Sequence, residues 1–532
     1  MKYDVIIAGG GVAGLTAAAY CEREGLSTAL FEKQETLGGL VQSVERDGFT
    51  FDMGLRAIED SGIVLPMLSE LGIHMEYEKS TVSIGIEDRI ISVQSEQSLE
   101  EYRNLLESFY PEHAGDIRRI MKVIRRIMKD MDVLYGIENP LFKDLAHDYR
   151  YIVRTLIPWI GKFLFTIGKI NRMQEPVEQL LDKLTDSSSL KCIIGQHFFR
   201  KTPAFFAMSY FSVYLDYMYP KGGTGSLTKL LSEHIVSRGV TVKTGQSIIS
   251  IDPEHRTVAN AAGERFGYKK LIWCCDQNLL YKALDTASLS HKASRIAVHQ
   301  RKNVLEKNRG GDSVFSLFLS VDKPPQYFSD ISDGHFFYTP SSRGLGDLHT
   351  VQLQDLLGCS DARPRIEAYL KAYLAYTTYE ISIPVLKDPA MAPEGKTGVI
   401  ISCLMEYELC RKAVDDNWYE EYKQMCCDEM IAVLSRSLYP GLKEKIMNYF
   451  CSTPRSIELL TGNTQGAITG WSFDTHQIPA VHEMQKVAQS VLTPMDHILQ
   501  AGQWCYSPSG LPISVLTGKL AALRAAKGSM RT

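Results

Sequence analysis

The chain of 532 residues has little excess charge of either sign: 58 Lys and Arg against 62 Asp and Glu leave a net charge of −4. Nothing global therefore points to nucleic acid as a partner. Its 11 cysteines are scattered and show no CxxC or Cys/His ligand spacing, although Cys274/Cys275 and Cys426/Cys427 are vicinal. That pattern argues against a metal site and a disulfide framework, and for reduced thiols in a cytosolic compartment. Internal repeats and low-complexity linkers are missing. The first strand starts so early that no signal peptide is expected. At 45% hydrophobic and 23% charged, the chain can bury a sizeable core and is long enough for two or more domains.

The opening residues carry the strongest signal. Asp4 to Ala8 (DVIIA) reads as a buried strand, Gly9 to Gly14 spell GGGVAG, an Ala-rich helix follows, and a second strand (STALF) runs into Glu32. This is a βαβ dinucleotide-binding unit. Gly9 permits the tight turn out of the strand, Gly11 lets the backbone approach a pyrophosphate, and Gly14 lets the helix pack closely on the sheet. Val12 and Ala13 open the helix, whose free N–H groups and positive dipole end suit the pyrophosphate. Glu32 stands 18 residues beyond Gly14, where a carboxylate accepts ribose hydroxyls, with Lys33 beside it. A bare 2′-OH is implied, so the ligand is FAD or NAD.

Distant segments favour FAD. Gly38 and Gly39 follow the acid within a few residues, then Leu40, and FDMG (Phe51 to Gly54) stands where a strand returns beside a flavin in the glutathione-reductase-like superfamily. Near the C-terminus, ILQAGQWCYSPSGLPISVLTGKLAA reads as a strand from His497 to Ala501, a loop, and a helix opening at Pro512. Such a helix aims its N-terminus at the flavin N1/C2=O edge and stabilises the negative charge of the reduced ring. Gly510, Leu511 and Pro512 are the candidates for that contact, and Gly502 and Gln503 for the ribityl chain and pyrophosphate.

With these motifs the chain resembles the FAD-dependent phytoene desaturase, carotenoid isomerase and retinol saturase group. The resemblance spans most of the length. It includes GGGVAG, LGG, Tyr219 to Ile251, IPVLKDPAMAPEG (Ile383 to Gly395), TGNTQGAITGW (Thr461 to Trp471) and GQWCYSPSGLP. It implies a Rossmann-like α/β FAD-binding domain with an inserted α+β substrate domain. It places Ile248 in the strand facing the adenine, and Gly222, Gly223 and Gly225 in a turn before a helix. Leu40 replaces the Arg of many relatives, and Gln503 the Asp; Gln503 can still hydrogen-bond a ribityl hydroxyl or phosphate.

The expected cofactor domain is discontinuous, from 1–75, 215–290 and 465–532. The substrate side comprises 76–214, helical over 98–214, and 291–464, with β-rich runs such as VFSLFLSV and TGVIISCL. In the helical part, Ile117, Ile120, Met121, Ile124, Ile127, Met128 and Met131 form one stripe, opposite Arg118, Arg119, Lys122, Arg125, Arg126 and Lys129. YIVRTLIPWIGKFLFTIGKI follows, too interrupted by charge and proline to span a bilayer. Two readings of 117–170 stay open: shallow docking on an anionic membrane, or core packing and the lining of a substrate tunnel.

The resemblance implies redox or isomerisation at C–C or C=C bonds of a long apolar polyene or similar lipid, with hydride exchange at flavin N5 in a dry tunnel. No catalytic dyad or triad is legible. Candidates for the flavin face are Arg56, Glu59, Trp471 and Tyr506. Arg56 has a structural alternative in an ion pair with Glu59 or Asp60, and the two aromatics one in the core. No second GxGxxG unit encodes NAD(P)H docking, which leaves the electron partner open among a dissociable carrier, a quinone and oxygen. Two other classes share the architecture. A flavin amine oxidase would carry an aromatic cage and a lysine near N5; a binder similar to Rab GDP-dissociation inhibitors would need no intact FAD site.

Overall fold

A computed structural model describes residues 2–346, 348, 353–358, 362–474 and 478–529. The opening strand, Lys2–Ala8, is the centre of a seven-stranded sheet. Thr28–Phe31 and then Thr241–Lys243 lie parallel on one side of it, and Arg265–Trp273 lies parallel on the other. Arg265–Trp273 is itself flanked by Ile498–Gln500 and by the antiparallel pair Thr257–Asn260 and Ile248–Asp252. Val5, Ile6 and Ile7 are fully buried, as an apolar run must be when helices cover both faces of a parallel sheet. Two of those helices, Val12–Arg23 and Leu511–Ser529, pack through small residues. A Cβ on Gly518 would lie 2.6 Å from the carbonyl oxygen of Ala13, so glycine sets how closely they approach.

The second seven-stranded sheet runs in the order Ile446–Ser452, Ser313–Val321, Thr397–Met405, Tyr379–Ser382, His335–Thr339, Val82–Ile86, Arg89–Val93. Strand alternation divides its side chains. Phe315, Leu317 and Leu319 pack with Ile366, Leu370, Tyr422 and Met430 from helices Ala362–Tyr376 and Tyr419–Ser437. The other face carries Ser316, Phe318, Ser402, Glu380 and His335, and there Phe318 clusters with Phe49 and Phe51 of the hairpin Ser43–Arg46/Phe49–Asp52.

Residues 98–216 are mainly helical, including Ala114–Tyr135 and Ile157–Ile170. The stripe on Ala114–Tyr135 is buried in the protein core, from Ile117 at 0% to Met131 at 8% exposure. This overturns docking through that stripe: its apolar groups are already covered by Tyr102, Leu106, Tyr210 and Phe211. The following segment behaves differently, with Ile157, Leu164 and Phe165 exposed at 59%, 62% and 71%. Among the described residues no helix is long and apolar enough to cross a membrane.

Candidate active site

Backbone builds the nucleotide end. Gly9 leaves its strand with φ 103°, and a Cβ on Gly14 would fall 1.9 Å from its carbonyl oxygen. No side chain caps the helix that begins at Val12, so its first N–H groups are left for an anion. A Cβ on Gly11 would meet nothing nearer than Gly39 Cα, at 3.9 Å, which leaves an open cradle. The second glycine pair closes one side of it, with Gly38 N–H donating to the Gly10 carbonyl at 2.8 Å. Gly502 arrives from the far end of the chain, its missing Cβ 3.3 Å from Ala13 Cβ, and donates its N–H to Thr517 Oγ1 at 2.9 Å. Gly54 packs on the backbone of Leu40.

Glu32 ends the second strand and accepts the N–H groups of Gly10 at 2.7 Å and Gln34 at 2.9 Å. Two bonds leave a carboxylate with free lone pairs. Gln246 N–H meets the Glu32 carbonyl at 2.8 Å, which brings the buried Ile248 strand alongside. The Lys33 amine turns away to the carbonyl of Leu459 at 2.8 Å; its side chain anchors a neighbouring helix and does not reach for a nucleotide. Leu511–Ser529 starts one residue before Pro512, and Gln503 is half-buried beside Gly470. Cys275, which had no role in the sequence reading, presses its Sγ on Gly9 and donates to the Ala8 carbonyl at 3.3 Å.

At the other end side chains dominate. Asp52 is fully buried and accepts from Ser43 Oγ at 2.7 Å, Tyr219 Oη at 2.6 Å, and the N–H and hydroxyl of Thr224 at 2.8 and 3.0 Å. It ties the FDMG strand to the turn of Gly222 and Gly223. Arg56 does not pair with Glu59 or Asp60. Its guanidinium enters the second sheet, donating to the Asp52 carbonyl and to Ser402 Oγ at 2.8 Å, while Nε has no partner. The alternation of that sheet explains the choice: Ser316 and Ser402 are cross-strand neighbours on the face toward Arg56.

Lys387, from IPVLKDP, donates its amine to the Arg56 carbonyl at 2.8 Å and to Ser382 Oγ at 2.9 Å, and lies 4.0 Å from the centre of the Tyr219 ring. Burial pushes that amine down to about 7, against the pull of the Asp52 charge. His335 Nε2 is 3.0 Å from Glu380 Oε1, and its Nδ1 has no partner. Burial lowers the His335 pKa, against the pull of the Glu380 carboxylate. Burial works to raise the Glu380 carboxyl, but His335, Arg56 and Lys387 outweigh it and hold it below the usual carboxylate range.

Glu59 is the opposite case: burial and the charge of Asp216 push its carboxyl up to about 7. It stands directly across an antiparallel pair from Tyr217, and Tyr217 stacks on His335 at 5.3 Å and 11°. Glu59, Tyr217 and Glu380 are enclosed by protein yet keep part of their surface free, as groups beside an internal chamber do. A Cβ on Gly510 would touch Glu59 Oε1 at 3.1 Å, so the closing helix begins beside that acid. Trp471 is 1% exposed, donates to the Trp504 carbonyl at 3.0 Å and packs edge-on against that ring at 4.9 Å. It is a core aromatic with no face open to a substrate. Tyr506 is buried too, at 5%.

A cavity of about 1370 Å³ adjoins Ser507 and Pro508, just ahead of the closing helix. Its walls mix apolar groups such as Leu345, Tyr373 and Leu404 with paired charges. Arg200 bridges Asp312 and Glu406, and Asp474 bridges Lys201 and Arg309. This outer space is therefore more polar than the expected dry tunnel. Elsewhere, ligand-type atoms of His113, Asp116 and Asp186 lie within 4.8 Å of one another, but Asp116 already pairs with Arg119 at 2.8 Å.

Residues 12–353 match the flavin containing amine oxidoreductase family. The chain belongs to this family. It is an FAD-dependent oxidoreductase, and the open glycine cradle and uncapped helix fit that cofactor. Among curated proteins it is similar to prolycopene isomerase 2, chloroplastic, of an Oncidium hybrid cultivar, at 24% identity over 497 residues, 86% of this chain and 73% of that one. It is also similar to 4,4'-diapophytoene desaturase (4,4'-diaponeurosporene-forming) of Staphylococcus aureus strain COL, at 23% over 546 residues, 98% of this chain and 97% of that one. Among solved structures, putrescine oxidase bound to putrescine superposes with a TM-score of 0.59 at 17% identity, covering all of both chains. Reduced UDP-galactopyranose mutase gives 0.55 at 12%, over 99% of this chain and 93% of that one. The likeness to these two concerns the fold. Membership in a flavin family and the intact cradle displace the reading as a binder without FAD.

Proposed function

We propose that this flavoenzyme acts on C–C or C=C bonds of a long apolar polyene or isoprenoid-like lipid, by desaturation, saturation or isomerisation. The observation that carries this reading is similarity over 86% and 98% of the chain to proteins named prolycopene isomerase and 4,4'-diapophytoene desaturase, joined to the aromatic rings of Tyr217 and Phe337, each with part of its surface free. The flavin supplies the hydride exchange at N5. FAD would be held by Gly9 to Gly14 at its pyrophosphate, Glu32 at its ribose, the Ile248 strand at its adenine, Gly38–Leu40 and Gly502–Gln503 at its ribityl region, and Gly510–Pro512 with Gly54 and Arg56 at its ring. The cofactor domain comprises 1–75, 215–290 and 465–532, and the rest forms the substrate domain.

The test is anaerobic reduction of the purified holoenzyme followed by incubation with prolycopene or 4,4'-diapophytoene and mass analysis. A change of two hydrogens marks a desaturase or saturase, and an altered retention at constant mass marks an isomerase. Unchanged polyenes with both probes overturn the substrate class. One observation favours amine oxidation as a second reading: the buried Lys387 amine lies 4.0 Å from the Tyr219 ring and bonds the Arg56 carbonyl. Peroxide release with putrescine or cyclohexylamine is the outcome that would select it.

The oily substrate is reached from a membrane surface through Tyr149–Ile170. Tyr149, Val153, Ile157, Ile160 and Leu164 repeat at helical spacing and are all exposed, and no acidic residue occurs from Tyr149 to Gln174. Arg150, Arg154 and Lys162 suit anionic headgroups. Co-sedimentation with phosphatidylglycerol vesicles, weakened by Leu164→Glu with Phe165→Glu, checks this. Equal sedimentation of both proteins contradicts it.

A further inference from the structure

The chamber holds two carboxylates whose surroundings drive them apart. Glu380 is clamped by His335 and stands near Arg56 and Lys387. Among the described residues no cation stands beside Glu59: the groups facing it are Asp216, Tyr217 and Tyr135, with the Gly510 end of the closing helix. Tyr217 stands between the two acids. It is paired with Glu59 in the strand register and stacked on the histidine that holds Glu380. A pair of titratable groups whose surroundings shift them in opposite directions in one site is the signature of divided acid–base roles.

We propose that Glu59 is the residue that exchanges a proton with the substrate, and that Glu380 is the fixed negative charge facing it across Tyr217. This rests on the C=C reading above. In the desaturation direction, the carbon next to the one that loses hydride must also give up a proton. Its C–H bond breaks, the electron pair closes the new C=C bond, and the proton bonds to Oε1 of Glu59. Saturation is the reverse. Isomerisation uses the same carboxyl twice: the proton adds to one end of a double bond, the carbon skeleton rotates about the resulting single bond, and the proton returns to Glu59 as the double bond re-forms. Glu380 stabilises positive charge developing on the chain, and His335, Arg56 and Lys387 hold it ionised. Glu59 near neutrality is poised for both directions, because a general acid–base group works best when its pKa is close to the ambient pH.

The test reads the flavin and needs no substrate. Glu59 adjoins Gly510 at the start of the closing helix, so its ionisation should perturb the bound flavin spectrum. Titrating holoenzyme absorbance from about pH 5 to about pH 9 in a Lys387→Met background, which removes the amine that also titrates at about 7, should show one single-proton transition at about 7. Adding Glu59→Gln should abolish it with FAD content unchanged, while adding Glu380→Gln should retain it. A Lys387→Met holoenzyme without the transition, or a Glu59→Gln protein in that background that keeps it, overturns the proposal. Should Glu59→Gln lose FAD, Glu59→Asp must still titrate, with a moved midpoint; a silent Glu59→Asp holoenzyme also overturns it. With 4,4'-diapophytoene as probe, Glu59→Gln should slow turnover by about 100-fold. If wild type turns over neither polyene while the spectral transition follows Glu59, the substrate reading fails and the proton site stands.

Discussion

The two ends of the site are built from different materials. At the nucleotide end the contacts are backbone: glycine turns, uncapped N–H groups, and one carboxylate that is itself held by two amides. At the other end they are side chains delivered by distant segments, with Arg56, Lys387, Glu380 and His335 meeting on one face of the second sheet. Backbone recognition depends on local geometry, so it is rigid and nearly independent of pH. The other end depends on buried charge, so its stability and chemistry respond to protonation. The difference shows how one fold can keep a cofactor constant while its chemistry varies.

The largest expected effect lies at the nucleotide end. Gly14→Ala puts a methyl group 1.9 Å from the Gly9 oxygen, which forces helix and turn apart at a cost of about 3 kcal/mol. The flavin-to-protein absorbance ratio should fall close to zero, and a fully yellow protein would break the backbone account. Glu32→Ala should follow, with about 2 kcal/mol and roughly 30-fold lost in FAD affinity, read by equilibrium dialysis. At the other end, Ser402→Ala removes one hydroxyl acceptor from Arg56 and should cost about 1 kcal/mol in thermal stability with FAD content unchanged. Loss of FAD there would merge the two ends.

The smallest effects are pH-dependent and sharpen the contrast. Glu59 is raised from 4.5 to about 7 in the fold, so the folded state binds more protons in that window and stability falls as pH rises through it. Lys387 is lowered from 10.5 to about 7, so the unfolded state binds more protons above about 7 and stability rises there. In the apoprotein, Glu59→Gln should flatten the fall in melting temperature and Lys387→Met the rise. Variants with wild-type profiles would show that these groups are solvated.

Legibility in the sequence follows the same division. Gly9, Gly11, Gly14, Glu32, Gly38, Gly54 and Gly502 are legible because Gly9, Gly38 and Gly502 take a positive φ and Gly14 and Gly54 a close backbone approach that no other residue allows. Glu59 stands out as a neighbour of FDMG, but its partner Glu380 does not, since nothing around YEISI marks a strand position as facing a chamber. Lys387 lies within IPVLKDP, where no local pattern sets it apart. Trp471 misled because indole suits both cores and substrate walls, and only the Trp504 carbonyl decides between them. The stripe of Ala114–Tyr135 misled in the same way: periodicity shows that a face is apolar but not what covers it.

By itself, then, the sequence determined a βαβ nucleotide cradle, a closing helix and a flavin, because glycine, proline and a strand-end acid constrain the backbone within a few residues of themselves. Only the tertiary structure decided that Arg56 belongs to the second sheet, that Tyr217 separates two carboxylates, and that one amphipathic helix is core while its neighbour faces outward. Desolvation and charge pairing arise from groups far apart along the chain, and they take values only when those groups are brought together in space.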